Sequence, residues 1–310
     1  MSGPVEVTDA GTSPGATNPS AAPALVVSTS RTTTVGAMAV RRALPNRGRR
    51  TVGAWCFVDH AGPITVDGNV RPDVGPHPHM GLQTVTWLIE GELLHRDSLG
   101  SEQVLRPGQL NLMTAGHGVA HAEEAATRPG GTVHLVQLWI AQPSATRWGA
   151  PAFEHRPELS RLELPHAVVT MLVGELGPTD PDAQVLGADL DLRSGSTTAP
   201  LDPAFEHALV VTIGRVMVEG QVATPGHLVY LGRGRAEVTL SVAEPARALL
   251  LGGVPFAEQL LMWWNFVART RQEIEAAHVD WATDSGRFGR VASPLDRIET
   301  PPPPWVPPPG

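Results

Sequence analysis

Two short pairs of residues, His77 with His79 and His121 with Glu123, carry side chains that suit a bound transition metal. Each pair is spaced i and i+2, and in a β-strand such residues point to the same face. Imidazole suits Fe, Zn, Cu and Ni, whereas a carboxylate is a harder ligand. The sequence therefore predicts a site with His77, His79, His121 and Glu123 as ligands, with open positions for water, substrate or dioxygen.

The two pairs are far apart in the chain, so the strands that carry them must become neighbours. A β-barrel does this, because strands distant in sequence lie side by side and their inward side chains face each other. Residues 82–89 favour a strand, and Pro107-Gly108 favours a turn. A lone His-x-His pair is common in loops that bind no metal, so the second pair behind the turn is what favours a metal site.

Four blocks of this region resemble the pirin family of the cupin superfamily. In chain order they are His77-Pro78-His79-Met80-Gly81, His95-Arg96-Asp97-Ser98-Leu99-Gly100, Pro107-Gly108 and Met113-Thr114-Ala115-Gly116. The resemblance covers roughly residues 35 to 280. The sequence departs from the general cupin pattern at Gln83, where that pattern often has a glutamate, so Gln83 is not assigned as a ligand and Glu123 would supply the carboxylate.

The resemblance implies an activity and a cofactor. It implies Fe(II), although the ligand set alone also suits Zn, Cu, Ni or Mn. It implies a dioxygenase similar to quercetin 2,3-dioxygenase, with a flavonol and O2 as substrates. Glu123 would then serve both as ligand and as the catalytic base that takes the flavonol proton, before dioxygen opens the central ring and carbon monoxide leaves.

A second function from another class stays open. Pirins are also known as metal-dependent regulators that bind protein partners, and there the iron would act as a redox switch. A metal-free structural role is a third alternative, which the presence of all four ligands disfavours. An enclosed apolar cavity wide enough for a flavonol would favour the enzyme, whereas a narrow pocket beside a charged surface patch would favour the regulator.

An internal repeat indicates two domains of the same kind. Residues 206–214 resemble residues 82–91 in hydrophobic pattern, and residues 224–231 resemble residues 106–113. We therefore predict an all-β chain of two antiparallel cupin β-barrels, a bicupin, with a C-terminal helix. The expected parts are a disordered tail (1–32), a metal-binding domain (33–142), a linker (143–165), a second cupin domain without metal ligands (166–280, including a helix over 256–277) and a Pro-rich tail (281–310).

The repeat also locates the positions in the second barrel that correspond to the ligands. Pro200 and Asp202 correspond to the first histidine pair, and residues 237–239 correspond to the second pair. None of these positions holds a histidine, so we predict one metal site, in the first barrel. His207 and His227 are then structural or exposed.

Other polar residues near the motifs remain open candidates. His60 could face the substrate or belong to a turn, and His95 could line the pocket. Arg96 and Asp97 are interpreted as residues that fix the hairpin through ionic and backbone hydrogen bonds. His117 lies between two glycines and is expected to point to solvent or to the rim.

Composition limits the partners. The net charge of −8 gives no general attraction to nucleic acid or to an anionic membrane. The sequence contains no run of about 20 apolar residues, so no membrane span is predicted. The one cysteine, Cys56, lies in an apolar run and is expected to be a buried thiol, which fits a cytoplasmic location.

Overall fold

The computed structural model describes residues 24–67, 70–177 and 184–306. Strand β1 (Val26–Thr29) pairs with the C-terminal domain, and the next strands form the N-terminal domain. Its larger sheet consists of β2 (Arg31–Val35), β3 (Met38–Leu44), β4 (Trp55–Thr65), β6 (Leu82–Glu90), β9 (Leu110–Thr114), β11 (Thr132–Ala141) and β12 (Ala152–Arg156). Its smaller sheet consists of β5 (Val74–His79), β7 (Leu93–Asp97), β8 (Glu102–Leu105) and β10 (Val119–Ala125).

The C-terminal domain repeats this arrangement. Its larger sheet contains β1 with β13 (Arg161–Leu164), β14 (Ala167–Val173), β15 (Val185–Leu192), β17 (Glu206–Ile213), β20 (His227–Gly232) and β22 (Ala246–Gly253). The smaller sheet contains β16 (Gly195–Pro200), β18 (Val216–Val218), β19 (Gln221–Ala223) and β21 (Glu237–Val242). A hairpin of β23 (Leu261–Trp263) and β24 (Phe266–Ala268) follows, and then the helix α1 (Arg271–Ala282).

The all-β fold class with two antiparallel domains and a C-terminal helix is confirmed. In each domain a seven-stranded sheet faces a four-stranded sheet across an apolar core, so the barrel is a flattened sandwich rather than a continuous hydrogen-bonded cylinder. Both large sheets have seven strands. The order is β12–β9–β6–β11–β4–β3–β2 in the first domain and β1–β20–β17–β22–β15–β14–β13 in the second. Among the described residues, no helix has the length and apolar character that a membrane crossing needs.

The two domains each receive a strand from outside their predicted bounds. Val26–Thr29 pairs with β20, so the prediction of disorder up to residue 32 is wrong for residues 26–32, while residues 1–23 lie outside the described part of the chain. The predicted linker over 143–165 is also not a structureless connection. It contains β12, which extends the first large sheet beside β9, and β13, which pairs with β14 in the second.

The C-terminal helix begins and ends later than the predicted 256–277. Residues 261–268 instead form the β23–β24 hairpin, whose turn places Trp264 at φ 51°. Helix α1 starts after Thr270, whose side chain accepts the backbone N–H of Glu273. A Thr-x-x-Glu spacing is the capping signature of a helix start, and Thr270 with Glu273 is the sequence signal that the predicted start at residue 256 missed.

The end of the chain is packed on the protein up to residue 306. The Trp305 indole donates to Glu275 at 2.7 Å, and the Arg271 guanidinium lies 5.2 Å from the centre of its ring. The backbone N–H of Ile298 donates to the carbonyl of Pro76. The residues predicted as a Pro-rich tail are therefore anchored to the protein at Ile298 and Trp305, and residues 307–310 lie outside the described part.

The interface between the domains is a shared apolar core. The outer face of the first large sheet, with Val58 and Val136, packs against Val210 and Leu249 of the second. Cys56 is fully buried, as predicted, and burial raises the pKa of its thiol to about 12. Because one face of the first large sheet is covered by the second domain, its opposite face is the one that can form a cavity.

His207 is a buried histidine in the second domain, and it makes the stability of the protein sensitive to acid. Neither of its ring nitrogens has a hydrogen-bond partner among the described residues, and burial lowers its pKa to about 4. The pKa of a histidine in the unfolded chain is about 6.5, so the unfolded chain binds the extra proton first as the pH falls. The contribution of neutral His207 to the free energy of unfolding is therefore complete above about pH 6.5. It is lost as the pH falls from there to the folded pKa of about 4.

His207→Leu should remove this dependence. The free energy of unfolding of the native protein should decrease relative to that of the variant by up to about 1.4 kcal/mol per pH unit in that window. Urea unfolding at several pH values between 7 and 4 measures the difference. His117→Gln, at an exposed position, is the control. Parallel pH profiles for His207→Leu and the native protein would contradict the prediction.

Candidate metal centre

Strands β5 and β10 bring the two predicted histidine-containing motifs side by side. They pair antiparallel, with His121 opposite His77 and Val119 opposite His79. One extra residue in β5 then shifts the register, so that Glu123 lies opposite Val74. The alternation of side chains along each strand sends His77, His79 and His121 to the same face, as predicted.

Backbone carbonyls fix the tautomers of the first two histidines. His77 Nδ1 lies 2.9 Å from the carbonyl oxygen of Gly75, and His79 Nδ1 lies 3.2 Å from that of Asn265. A carbonyl oxygen can only accept, so each Nδ1 carries the hydrogen and donates it. The Nε2 atom of each neutral ring is then left with a free lone pair.

A chain of polar side chains does the same for the third histidine. The Asp97 carboxylate accepts from His95 Nε2 at 3.2 Å. His95 Nδ1 is then an acceptor in the neutral ring, and His121 Nδ1, 3.4 Å away, donates to it. His121 therefore also presents Nε2 as a lone pair. Outer contacts of this kind orient metal-binding histidines and raise their basicity.

The Nε2 lone pairs of the three histidines lie close together, as the donors to a single metal ion must. His79 Nε2 and His121 Nε2 are 3.1 Å apart. With the tautomers given by their Nδ1 contacts, no hydrogen lies between these two atoms, an arrangement that repels unless a cation lies beside both. Two nitrogen donors each about 2.1 Å from one ion and roughly at right angles are separated by a similar distance. Within the described ranges, His77, His79 and His121 are the group of three possible ligands whose donor atoms lie within 4.8 Å of one another. They form a candidate metal site.

Burial keeps these rings neutral. It lowers the pKa of His77 to about 4 and holds the pKa values of His79 and His121 well below the ordinary range. Metal binding requires deprotonated imidazoles, so the environment prepares all three rings for a cation at neutral pH.

Glu123 lies in the same cavity but outside the group of three histidines. Its carboxylate accepts a hydrogen bond from Thr86 Oγ1 at 3.4 Å, and burial raises its pKa to about 7. The shift in the pairing of β10 with β5 falls between His121 and Glu123 on β10. A carboxylate with a pKa near neutrality is suited to exchange a proton with a bound substrate.

The cavity in front of the histidines has a volume of about 280 Å³. Its wall is largely apolar, and the rings of Phe57 and Trp139 stack there with their centres 3.9 Å apart. Trp139 also makes an edge contact with His79, at 5.2 Å between ring centres. Trp264 and Asn265 reach the cavity from the β23–β24 turn, so the end of the second domain completes the site of the first.

The other predicted candidates have different positions. His60 faces the domain interface and not the cavity, with its Nε2 2.6 Å from His134 Nε2. His95 does not line the cavity; it lies behind His121, stacked on Phe153. The structural interpretation of Arg96 and Asp97 is confirmed. Asp97 accepts the N–H groups of Leu99 and Ser101, and Arg96 pairs with Glu102 and Glu124.

Three residues behave as their sequence contexts indicated. His117 is exposed beside the carbonyl oxygen of Gly149, and Gln83 donates to Thr114 away from the histidines. His227 accepts the backbone N–H of Thr224 within a turn.

Comparison with known proteins agrees with this geometry. The sequence profile of the pirin family matches residues 37–140, and that of the pirin C-terminal cupin domain matches residues 187–289. A Pseudomonas aeruginosa protein, named as a candidate quercetin 2,3-dioxygenase, is 47% identical over 276 residues, which are 87% of each chain. The chain belongs to the pirin family.

Two further relatives match most of this chain. A pirin-like protein of Caulobacter vibrioides is 34% identical over 86% of this chain and 94% of its own. The crystal structure of a quercetin 2,3-dioxygenase from Acinetobacter baumannii superposes with a TM-score of 0.85 at 41% identity, covering 91% of this chain and 96% of that one. The predicted relation to the pirins and to their two-domain cupin fold is thereby confirmed.

Proposed function

We propose that this pirin is a metal-dependent dioxygenase that opens the central ring of a flavonol with O2, similar to quercetin 2,3-dioxygenase. The observation that carries the proposal is the cavity of about 280 Å³ that ends on the three convergent histidines. This volume is near the lower limit of about 300–1,000 Å³ that small-molecule sites occupy. The names of the Pseudomonas and Acinetobacter relatives agree with it.

We further propose Fe(II) as the ion, held by His77, His79 and His121 together with Glu123. Zn, Cu, Ni and Mn suit the same donors and are the alternatives to be measured. A bound transition metal would supply a Lewis acid and open positions at which substrate oxygen and dioxygen can meet. A cytoplasmic location belongs to the proposal, and it agrees with the single buried and unpaired thiol of Cys56.

The residues of the chain would share the remaining work. Phe57 and Trp139 line the cavity with apolar rings that the fused rings of a flavonol can contact. Glu123 is the proposed base: its carboxylate accepts the proton of the flavonol 3-hydroxyl, and Thr86 orients it through their hydrogen bond. Burial raises the pKa of this carboxyl to about 7 in the metal-free protein, and a bound cation would lower it, so Glu123 would be ionised and able to accept a proton at neutral pH.

Glu123→Gln separates the role of base from that of ligand. Glutamine keeps an oxygen donor but accepts no proton at neutral pH, so we expect turnover to fall by about 10²- to 10⁴-fold and metal content to fall much less. Elemental analysis of protein purified without a metal-affinity tag gives the metal content. Loss of quercetin absorbance, together with carbon monoxide release, gives the turnover of the Fe(II)-loaded protein.

Glu124→Gln is the matched control, because Glu124 is the next residue on the same strand and pairs with Arg96 instead of lining the cavity. It should keep both metal and turnover. An equal loss of metal and turnover in Glu123→Gln would make Glu123 a ligand only. A native protein that binds metal but releases no carbon monoxide from quercetin would contradict the dioxygenase proposal.

A further inference from the structure

A row of polar side chains crosses the wall of the cavity. Strand β4 contributes Asp59, which pairs in register with Arg42 of β3 on one side and with Gln137 of β11 on the other. All three residues line the cavity that contains the histidines. In an otherwise apolar wall, such a row marks the place where a bound molecule would meet directed hydrogen-bonding groups.

Arg42 is almost completely buried, with 2% of its surface exposed, and only part of its hydrogen-bonding capacity is used. Its Nε and Nη2 donate to the two carboxylate oxygens of Asp59 at 2.7 and 2.6 Å. Its Nη1 is buried and has no partner among the described residues. The ion pair therefore holds the guanidinium rigidly while leaving the two N–H groups of Nη1 without a partner among the described residues.

Gln137 complements this donor with an acceptor. Its Oε1 is buried and likewise has no partner in the described part of the chain. Buried polar atoms are almost always hydrogen-bonded, so two unpaired atoms in one cavity indicate a missing ligand or water. A donor and an acceptor on either side of Asp59 restrict what that ligand can be.

The chemistry of the two atoms selects a hydroxyl group. A carboxylate would satisfy Arg42 Nη1, but Gln137 could meet it only by rotating its amide so that Nε2 donates in place of the accepting Oε1. An ammonium group would satisfy Gln137 and repel Arg42. A phenolic hydroxyl both accepts and donates, so phenolic oxygens can satisfy both residues.

An aromatic wall connects this row to the histidines. The Arg42 guanidinium lies 4.5 Å from the centre of the Phe57 ring, which stacks on Trp139, which in turn contacts His79. A planar molecule lying along this wall would place one end at the histidines and the other at Arg42 and Gln137.

We propose that Arg42 and Gln137 determine substrate specificity by binding phenolic hydroxyls at the end of a planar aromatic substrate that is remote from His77, His79 and His121. The proposal rests on the proposed function for the kind of substrate. It adds a requirement that the histidines alone do not impose: the substrate must carry hydroxyl groups on its outer rings.

Isothermal titration under anaerobic conditions tests this without any turnover. Quercetin is compared with 3-hydroxyflavone, which keeps the 3-hydroxyl but lacks all the other hydroxyls. The native protein should bind quercetin about 10-fold more tightly or better. Gln137→Leu should weaken quercetin binding by about 5-fold and Arg42→Lys by about 10-fold, with 3-hydroxyflavone affected less than about 2-fold.

Arg42→Lys is chosen because it keeps a positive charge beside the Asp59 carboxylate. Gln103→Leu is the control for Gln137→Leu, since Gln103 is on a strand of the same domain but does not line the cavity. It should bind both compounds as the native protein does.

Equal affinity of the native protein for the two compounds, or no binding of quercetin, would overturn the proposal. Unchanged quercetin binding in both variants, or equal losses for both compounds, would also overturn it. Discrimination that depends on Arg42 and Gln137 in a protein that releases no carbon monoxide would leave this inference standing and remove the proposed reaction.

Discussion

His121→Ala is expected to abolish metal binding at micromolar metal and, with it, all turnover of quercetin. His121 is the central member of the group, with its ring centre 4.3 Å from that of His77 and 4.9 Å from that of His79. It is also the ring that Asp97 and His95 orient. Its removal leaves His77 and His79 of the three convergent nitrogen donors, and Glu123 lies outside that group, so the ion loses one of the three donors that already lie together.

A graded series makes this prediction specific. His95→Phe should keep the stacking on Phe153 but lose the acceptor for His121 Nδ1, so metal affinity should fall by about 10- to 100-fold rather than disappear. His117→Ala, at an exposed position outside the cavity lining, should leave metal affinity unchanged. Circular dichroism checks that each variant is folded, and titration with Fe(II) and Zn(II) gives the affinities. A His121→Ala protein that retains the affinity of the native protein would show that the ion binds elsewhere.

The three convergent histidines could be predicted from sequence because their information is local. Spacing of i and i+2 within a strand determines which face a side chain occupies, and the Pro-Gly turns and alternating segments determine that strands are present. The pairing of His77 with His121 is not local, and its prediction depended on the barrel topology that the resemblance to the pirins implies.

The supports of the site could not be predicted in that way. Asn265 supplies the carbonyl oxygen that fixes His79, and it comes from a turn almost at the end of the second domain. Arg42, Asp59 and Gln137 become neighbours only through the register of three strands. Each is an unremarkable polar residue on its own strand, so only the assembled sheet reveals that they form one row.

The errors at the boundaries have a similar origin. The apolar residues over 256–277 fit a helical period, yet Trp263 and Phe266 are buried from a hairpin that packs against the first domain and α1. Tertiary packing outweighed the periodicity, while the local cap at Thr270 marked where the helix could begin. Val26–Thr29 forms a strand because β20 offers it an edge, which composition alone does not reveal.

Trp55→Ala is expected to cause the largest loss of stability, because this one side chain joins the two domains. Its indole is fully buried, and Nε1 donates to the carbonyl oxygens of Leu186 at 2.8 Å and of Gly252 at 3.1 Å. Those residues face each other on β15 and β22 of the second domain. The ring also fills the space above Gly187, where an added Cβ would lie 2.8 Å from Cζ2.

Truncating Trp55 therefore creates a cavity at the domain interface and leaves two carbonyl oxygens without their indole donor. We expect the free energy of unfolding to fall by about 3–5 kcal/mol, measured by urea denaturation. Trp148→Ala is the matched control, since that indole is 48% exposed and should contribute less than about 1 kcal/mol. Hydrogen exchange supplies the decisive comparison, because the amides of β15 and β22 should lose protection although the substitution is on β4. If protection fell in the first domain alone, Trp55 would be an ordinary core residue of that domain and the joining of the two domains would depend on the remaining apolar contacts.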